Sequence, residues 1–349
     1  MKMKFGLTLL FAFLLFPFSI ALPSIALAQT KQGAANQDKA NQGKANQGKT
    51  GKGKTKKSKQ KKLAPFQWVN PISKSEQTLP GLRHATFESP SLKVPVGFCI
   101  YLPPRYQSAE NKTRRYPVVY YLHGGRPGSE RKSVRLVTKI DKLIAARKIP
   151  PMIYVFVNGG PVSHYNMPDQ PDAQGADVFI KELIPHVDAN FRTVADRTGR
   201  GLEGFSQGGR GTARLSLRYP ELFCSAAPGG GGHATERRIS ENGGAESEKL
   251  KFAEGDNTWD LAKNYAQQIK TGKQNLRILV YVGDQGFNYK NNLQWMEHLT
   301  TLGIERQKLI VPDVGHNGRE IYEKNGFDIM NFHVESFRAA GSLPAAKQK

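Results

Sequence analysis

Cysteine is scarce in this chain of 349 residues, which holds two in all. Two thiols cannot build a cysteine framework or a four-thiolate metal site. Cys99 and Cys224 both fall in apolar runs. Buried free thiols are the expected state there, although export would permit a disulfide. Acidic residues are also few: 29 Asp and Glu stand against 51 Lys and Arg, a net charge of +22. Taken whole, that excess points to a polyanion binder, but it is unevenly placed. Residues 29–62 hold eleven Lys and one Asp, residues 1–28 hold Lys2 and Lys4, and the remaining 287 residues carry only +10. Long apolar runs are absent after Leu27, so no later segment is expected to cross a membrane. No pair of histidines has metal-site spacing, and "GGRPG" (124–128) lacks the Gly-Lys-Ser/Thr of a phosphate loop. No metal and no cofactor are expected.

The first 64 residues read as address and tether. Lys2 and Lys4 precede an apolar run from Phe5 to Phe18, and Ala26-Leu27-Ala28 offers small residues for cleavage after Ala28. Pro17, Ser19, Pro23 and Ser24 interrupt the run, which favours a signal peptide (1–28) over an anchor. No Cys lies near the cleavage point, which argues against a lipoprotein. Residues 29–64 form a Lys-rich linker with "ANQDK" and "ANQGK" repeats. Up to residue 62 nothing aliphatic is larger than Ala, so this stretch cannot bury a core and is expected to be disordered. Its charge suits a solvated spacer or electrostatic contact with an anionic surface polymer or lipid. Nucleic acid is not an expected partner, because no aromatics interleave the lysines and export argues against it. The expected location is secreted, periplasmic or at the cell surface.

Residues 65–349 change character. Short apolar runs, "VPVGFCIYLPPRY" (94–106), "YPVVYYLHGG" (116–125), "MIYVFVNGG" (152–160), "LRILVYVGD" (276–284) and "KLIVPDVGH" (308–316), alternate with amphipathic stretches near 133–149, 177–191, 206–220, 293–303 and 325–340. This pattern predicts an α/β fold, a mostly parallel sheet with helices on both faces. Right-handed crossovers put every parallel strand's C-terminal end on one rim, where such sheets bind ligands.

Gly204-Phe205-Ser206-Gln207-Gly208 is a G-x-S-x-G pentapeptide between a strand pattern and a helix pattern. A sharp strand-to-helix turn of this kind exposes the serine hydroxyl at the rim, so Ser206 is the expected nucleophile. A serine needs a base to take its proton. His316, in the late loop "VPDVGHNGRE" beside Gly315, is the candidate. His333 and His298 fall in helices, and His123, His164 and His233 in loops that could line a cleft. A carboxylate is expected to orient the imidazole. Asp284 follows the strand at 276–282 and fits the Ser…Asp…His order, with Asp313 as rival. Oxyanion donors are expected from the backbone of Gln207 and from the "LHGG" loop, at Gly125 or Arg126.

These segments resemble the esterase family of α/β-hydrolases that includes esterase D (S-formylglutathione hydrolase), feruloyl and acetyl xylan esterases, enterochelin esterase and mycolyltransferases. The likeness runs from about His84 to Phe337 through "HATFESPSLKVPVGFCIYLPPRY", "YPVVYYLHGG", "FIKELIPHVDANFRT", "LEGFSQGG", "ILVYVGDQGF" and "PDVGHNGRE". It implies the α/β-hydrolase fold, with Ser206 as nucleophile, Asp284 as acid and His316 as base. It also implies a serine esterase, with carbohydrate-linked feruloyl or acetyl esters as leading substrates. An acyltransferase to a sugar alcohol and an inactive binding protein of the same fold are the alternatives. Two features depart from the pattern. Glu203 stands where a small apolar residue is commoner; Arg200 and Arg210 are its candidate partners, or it faces the cleft. Residues 229–257 form a polar insertion that is either a lid or a surface loop.

Overall fold

The computed structural model describes residues 66–167, 170–233, 253–272 and 276–345. The chain divides into units 1–61 and 62–349, and the account below concerns the second. The expected signal peptide (1–28) and nearly all of the expected Lys-rich linker (29–64) fall in the first unit, and both lie outside the described residues.

After a short helix α1 (Lys74–Gln77), β1 (Leu82–Glu88) and β2 (Pro95–Tyr101) form an antiparallel pair. There follow β3 (Val118–Leu122), α2 (Val137–Ala145) and β4 (Ile153–Val157). The sequences VVYYL and IYVFV are wholly buried, because β-branched and aromatic residues suit strands covered on both faces. A helical segment then runs from α3 (Gly175–Asp177) through a π-helical stretch (Val178–Leu183) into α4 (Ile184–Asn190). Next come β5 (Arg200–Phe205), α5 (Gln207–Arg218), β6 (Ser225–Gly229), α6 (Thr258–Lys270), β7 (Arg277–Gly283), α7 (Tyr289–Thr301), β8 (Gln307–Val311) and α8 (Gly318–Ala339).

The eight strands form one sheet in the order β1-β2-β4-β3-β5-β6-β7-β8. β2 also pairs antiparallel with β4, and from β4 onward every pairing is parallel. Alternation along β3 splits the core in two. Val118, Tyr120 and Leu122 join residues of α3, α4, α5, α6 and α7 on one face, while Val119 and Tyr121 join α2 and α8 on the other. The expected mostly parallel sheet with helices on both faces is therefore present.

Two differences from the sequence reading concern helices. α6 begins at the end of the polar insertion, where Asn257 accepts from the backbone N–H of Trp259 and Asp260 and so satisfies two orphan donors. Its buried Leu261, Ala262, Tyr265 and Ala266 have helical spacing. α8 starts at Gly318, seven residues earlier than expected, capped by Asn317. Of the insertion, residues 234–252 lie outside the described residues. Its end is tied to α5, because buried Asp256 pairs with Arg214 and, at 2.8 Å, with Arg218.

Both cysteines are free and buried, Cys99 on β2 and Cys224 just before β6. Burial raises both thiol pKa values, that of Cys224 to about 11, so neither is a thiolate near neutral pH.

Candidate active site

β5 ends at Phe205 and α5 begins at Gln207, which leaves Ser206 alone to make the turn. Its φ of 62° and ψ of −119° lie where L-residues are strained, by about 1–3 kcal/mol. The flanking glycines are sterically required. A Cβ on Gly208 would lie 1.8 Å from the carbonyl oxygen of Leu122, and one on Gly204 would lie 2.6 Å from those of Leu122 and Gly208. The Ser206 N–H donates to the Gly229 carbonyl at 2.9 Å, which locks the turn to β6. The hydroxyl is thereby held at the C-terminal rim of a central strand.

His316 lies in the loop between β8 and α8, with its Nε2 2.8 Å from Ser206 Oγ across 110 residues of sequence. The structure therefore brings these two expected residues together. Its Nδ1 faces Asn288 Oδ1 at 3.2 Å. Asn288 is buried, and its Nδ2 donates to the Gly230 carbonyl, which leaves Oδ1 as the end that faces the ring. An amide oxygen only accepts, so Nδ1 carries the proton and Nε2 presents a lone pair to the Ser206 hydroxyl. Burial lowers the His316 pKa below its usual value. The ring touches two phenyl groups, Phe205 with centroids 4.8 Å apart and Phe287 at 4.3 Å. Phe287 is 84% exposed, the largest exposure among the large apolar side chains of the described residues.

Asp284 is not joined to His316 by a hydrogen bond among the described residues. It sits immediately after β7, its N–H donating to the Val311 carbonyl at 3.1 Å, and its Oδ1 is buried without a described partner. The chain runs four residues further, with Gln285 N–H on the Val314 carbonyl at 3.0 Å, before Asn288 arrives beneath the imidazole. Asp313 is exposed, two residues after β8, at φ 55°. Nothing in the sequence singled out Asn288, because a neutral amide four residues past the strand carries no charge signal. Its position directly before α7 is the one cue that could have found it.

The remaining expected residues take these places. Gln207 opens α5, and the first N–H groups of a helix have no intrahelical acceptor. Gly125 has φ 67° and is exposed beside Gly124, where an added Cβ would come within 3.1 Å of Ser206 Cβ. Ser163 Oγ donates to the Gly125 carbonyl at 2.7 Å and steadies this loop. His123 and His164 lie behind it, with His164 Nε2 donating to the His123 carbonyl at 2.9 Å. Burial lowers both pKa values, that of His164 to about 4. His233 stacks on Trp295 with centroids 4.0 Å apart, and burial lowers its pKa to about 3. His298 meets the Trp259 carbonyl at 3.2 Å, and His333 lies inside α8 against Ser225 Oγ at 2.7 Å.

Glu203 faces neither Arg200 nor the cleft. Arg200 pairs with Asp188 at 2.7 Å. Glu203 is fully buried on β5, where its Oε1 accepts from Tyr322 Oη at 2.7 Å and its Oε2 lies 3.5 Å from His333 Nε2. This carboxylate ties the strand that carries Ser206 to the helix that follows His316.

An eight-stranded, mostly parallel sheet with its serine turn and histidine loop on one rim is the α/β-hydrolase fold. Solved structures agree. A ferulic acid esterase superposes with TM-score 0.61 at 21% identity, covering 73% of this chain and 98% of its own. An S-formylglutathione hydrolase of Staphylococcus aureus gives 0.59 at 19% identity, covering 72% and 98%. The sequence model of the family described as "Putative esterase" matches residues 89–322. The chain belongs to that family. Among curated proteins it is 36% identical over 136 residues to an endo-1,4-beta-xylanase/feruloyl esterase of Xylanibacter ruminicola, covering 36% of this chain and 18% of that protein. It is 31% identical over 151 residues to an esterase of Mycobacterium tuberculosis, covering 42% of this chain and 32% of that one. The chain thus spans less than a third of the length of these curated relatives.

Proposed function

We propose that the protein is an exported serine esterase that cleaves carboxylic esters through an acyl-enzyme, with Ser206 as nucleophile and His316 as general base. The observation that carries this reading is the 2.8 Å contact between Ser206 Oγ and His316 Nε2, with the opposite ring nitrogen held by Asn288. As Oγ attacks the ester carbonyl its proton passes to Nε2. The oxyanion that forms takes hydrogen bonds from the backbone N–H of Gln207 and of Gly125. His316 then gives its proton to the departing alkoxide, leaving Ser206 acylated. Water enters, gives a proton to the same nitrogen as its oxygen attacks the acyl carbonyl, and His316 returns that proton to Ser206 Oγ as the bond to the serine breaks and the acid leaves.

Asn288 takes the orienting part in this scheme that the sequence reading gave to Asp284. It fixes the productive tautomer, as the asparagine of cysteine–histidine–asparagine sites does, but adds no negative charge beside the imidazolium. Feruloyl or acetyl esters linked to carbohydrate are the proposed substrates. A ferulic acid esterase among the structural neighbours and a xylanase/feruloyl esterase among the sequence relatives support that choice. Export rests on the signal-peptide reading of residues 1–28.

The test is hydrolysis of p-nitrophenyl acetate and methyl ferulate, with fluorophosphonate labelling of the intact chain and of Ser206→Ala. Turnover and labelling that both vanish in the variant are the expected result. An unlabelled and inactive wild-type chain would refute the reading.

A further inference from the structure

A cleft of about 920 Å³ opens beside the nucleophile, between the loop after β3, α2 and the first turns of α8. That volume suits a small-molecule ligand. Gly124 and Phe205, which flank Ser206 in space and in sequence, line its inner end. Among its charged lining residues cations outnumber carboxylates six to two. Lys139 and Lys142 lie one turn apart on α2, and Arg135 stands in the turn that leads into it. Lys132 completes the row nearest the nucleophile, with its Nζ 3.6 Å from where a Cβ on Gly125 would be.

The two carboxylates in the lining are already engaged. Glu76 pairs with Arg131 at 2.7 Å and Glu323 with Arg319 at 2.9 Å. By contrast, Lys132, Arg135, Lys139 and Lys142 have no carboxylate partner among the described residues. Lys132 Nζ is held by the Pro127 carbonyl at 2.6 Å, Lys139 Nζ by the Glu323 carbonyl at 3.0 Å, and Arg135 meets Ser75 Oγ at 3.4 Å. A row of uncompensated cations in a concave wall focuses field on whatever enters. A feruloyl or acetyl group brings no charge of its own, so an anion elsewhere on the ester is what would use it.

We propose that this cleft selects esters that carry an anionic group, carboxylate or phosphate, several ångströms from the scissile carbonyl. The proposal rests on the esterase reading above. The ester carbonyl reaches Ser206 while the anion lies against Lys132 and Arg135, with Lys139 and Lys142 beyond. A guanidinium offers two parallel N–H donors to either anion.

The test compares matched ester pairs on the full-length chain at low ionic strength. The mono-p-nitrophenyl ester of glutaric acid is set against p-nitrophenyl pentanoate, which places the carboxylate on the acyl side. 4-Acetoxybenzoate and 4-acetoxyphenyl phosphate are each set against 4-acetoxybenzamide, which places either anion on the alcohol side. At least one anionic member is expected to exceed its neutral partner in kcat/KM by about tenfold. That ratio should fall toward unity in 0.5 M salt and in the Arg135→Gln/Lys139→Gln double variant, with its melting temperature confirming that it folds. The terminal lysines are common to both proteins and cancel in the comparison. Equal rates within every pair would overturn the proposal and leave the esterase reading standing. If no ester of either kind is cleaved, the esterase reading fails. Calorimetric binding of 4-hydroxyphenyl phosphate against hydroquinone then decides the cleft separately, and equal or absent binding of both would overturn the proposal.

Discussion

Asn288 Oδ1 lies 3.2 Å from His316 Nδ1, so a neutral amide holds the imidazole that faces Ser206. Asn288→Ala should lower kcat by about 10–100-fold, because the ring loses the partner that fixes its tautomer. Asp284→Asn should cost much less. Steady-state kinetics of the two variants check the ranking, and the reverse order would return the orienting part to Asp284.

Asn288→Asp should move the pH profile in a defined direction. In the wild-type chain burial lowers the His316 pKa. The base is therefore neutral at pH 7, and kcat/KM should rise with pH through a midpoint below about 6.5. A carboxylate at 288 would favour the protonated ring and raise that midpoint by about one unit or more. Profiles of both proteins on one neutral ester test this, and an unmoved limb would contradict it.

Ser206→Gly should remove activity yet leave the fold no less stable. The φ of 62° that strains serine is open to glycine. Relief of about 1 kcal/mol is expected, partly offset by glycine's greater freedom in the unfolded chain. Ser206→Ala keeps the strain. Urea denaturation should rank the glycine variant at or above the alanine variant.

Glu203→Ala should destabilise the protein by about 3 kcal/mol, since it opens a cavity and strips the acceptor from the buried Tyr322 hydroxyl. Glu203→Gln keeps an oxygen there and should cost about 1 kcal/mol. The difference between the two is read from denaturation midpoints. Activity should fall with the alanine variant at temperatures well below unfolding, as α8 and the histidine loop lose their tie to β5.

His123, His164 and His233 are all buried, with pKa values lowered by burial. In acid the unfolded chain takes up protons that the folded chain refuses, so stability falls as pH drops through the unfolded value near 6.5. The loss contributed by His164 and His233 should be complete only below about 4 and about 3. Melting temperatures between pH 7.5 and 4 should therefore decline, and a flat profile would rule this out.

The histidine loop was legible from its place after the last strand. The serine turn was legible because backbone crowding leaves a mark in sequence: glycines at 204 and 208 are the residues that fit against Leu122 and its neighbours. The parallel sheet was legible for a similar reason, since strands covered on both faces must be apolar throughout. Asn288 left no such mark. Its function depends on which atom meets which, and the expected carboxylate at 284 stops one turn short. The partners of Glu203 were equally hidden, because Tyr322 stands 119 residues away. α6 was masked by the polar run before it, although its Asn257 cap was there to be read.

Phe287 gives the imidazole of His316, the proposed base, an unusual dependence on its surroundings. One of the rings touching that base stands almost wholly in solvent. The dryness of the base is therefore set in part by whatever settles on that ring. A ligand with an apolar portion resting there would finish the desolvation that the protein leaves incomplete, so the same molecule would complete the hydrophobic shelter of the proton acceptor that acts on it.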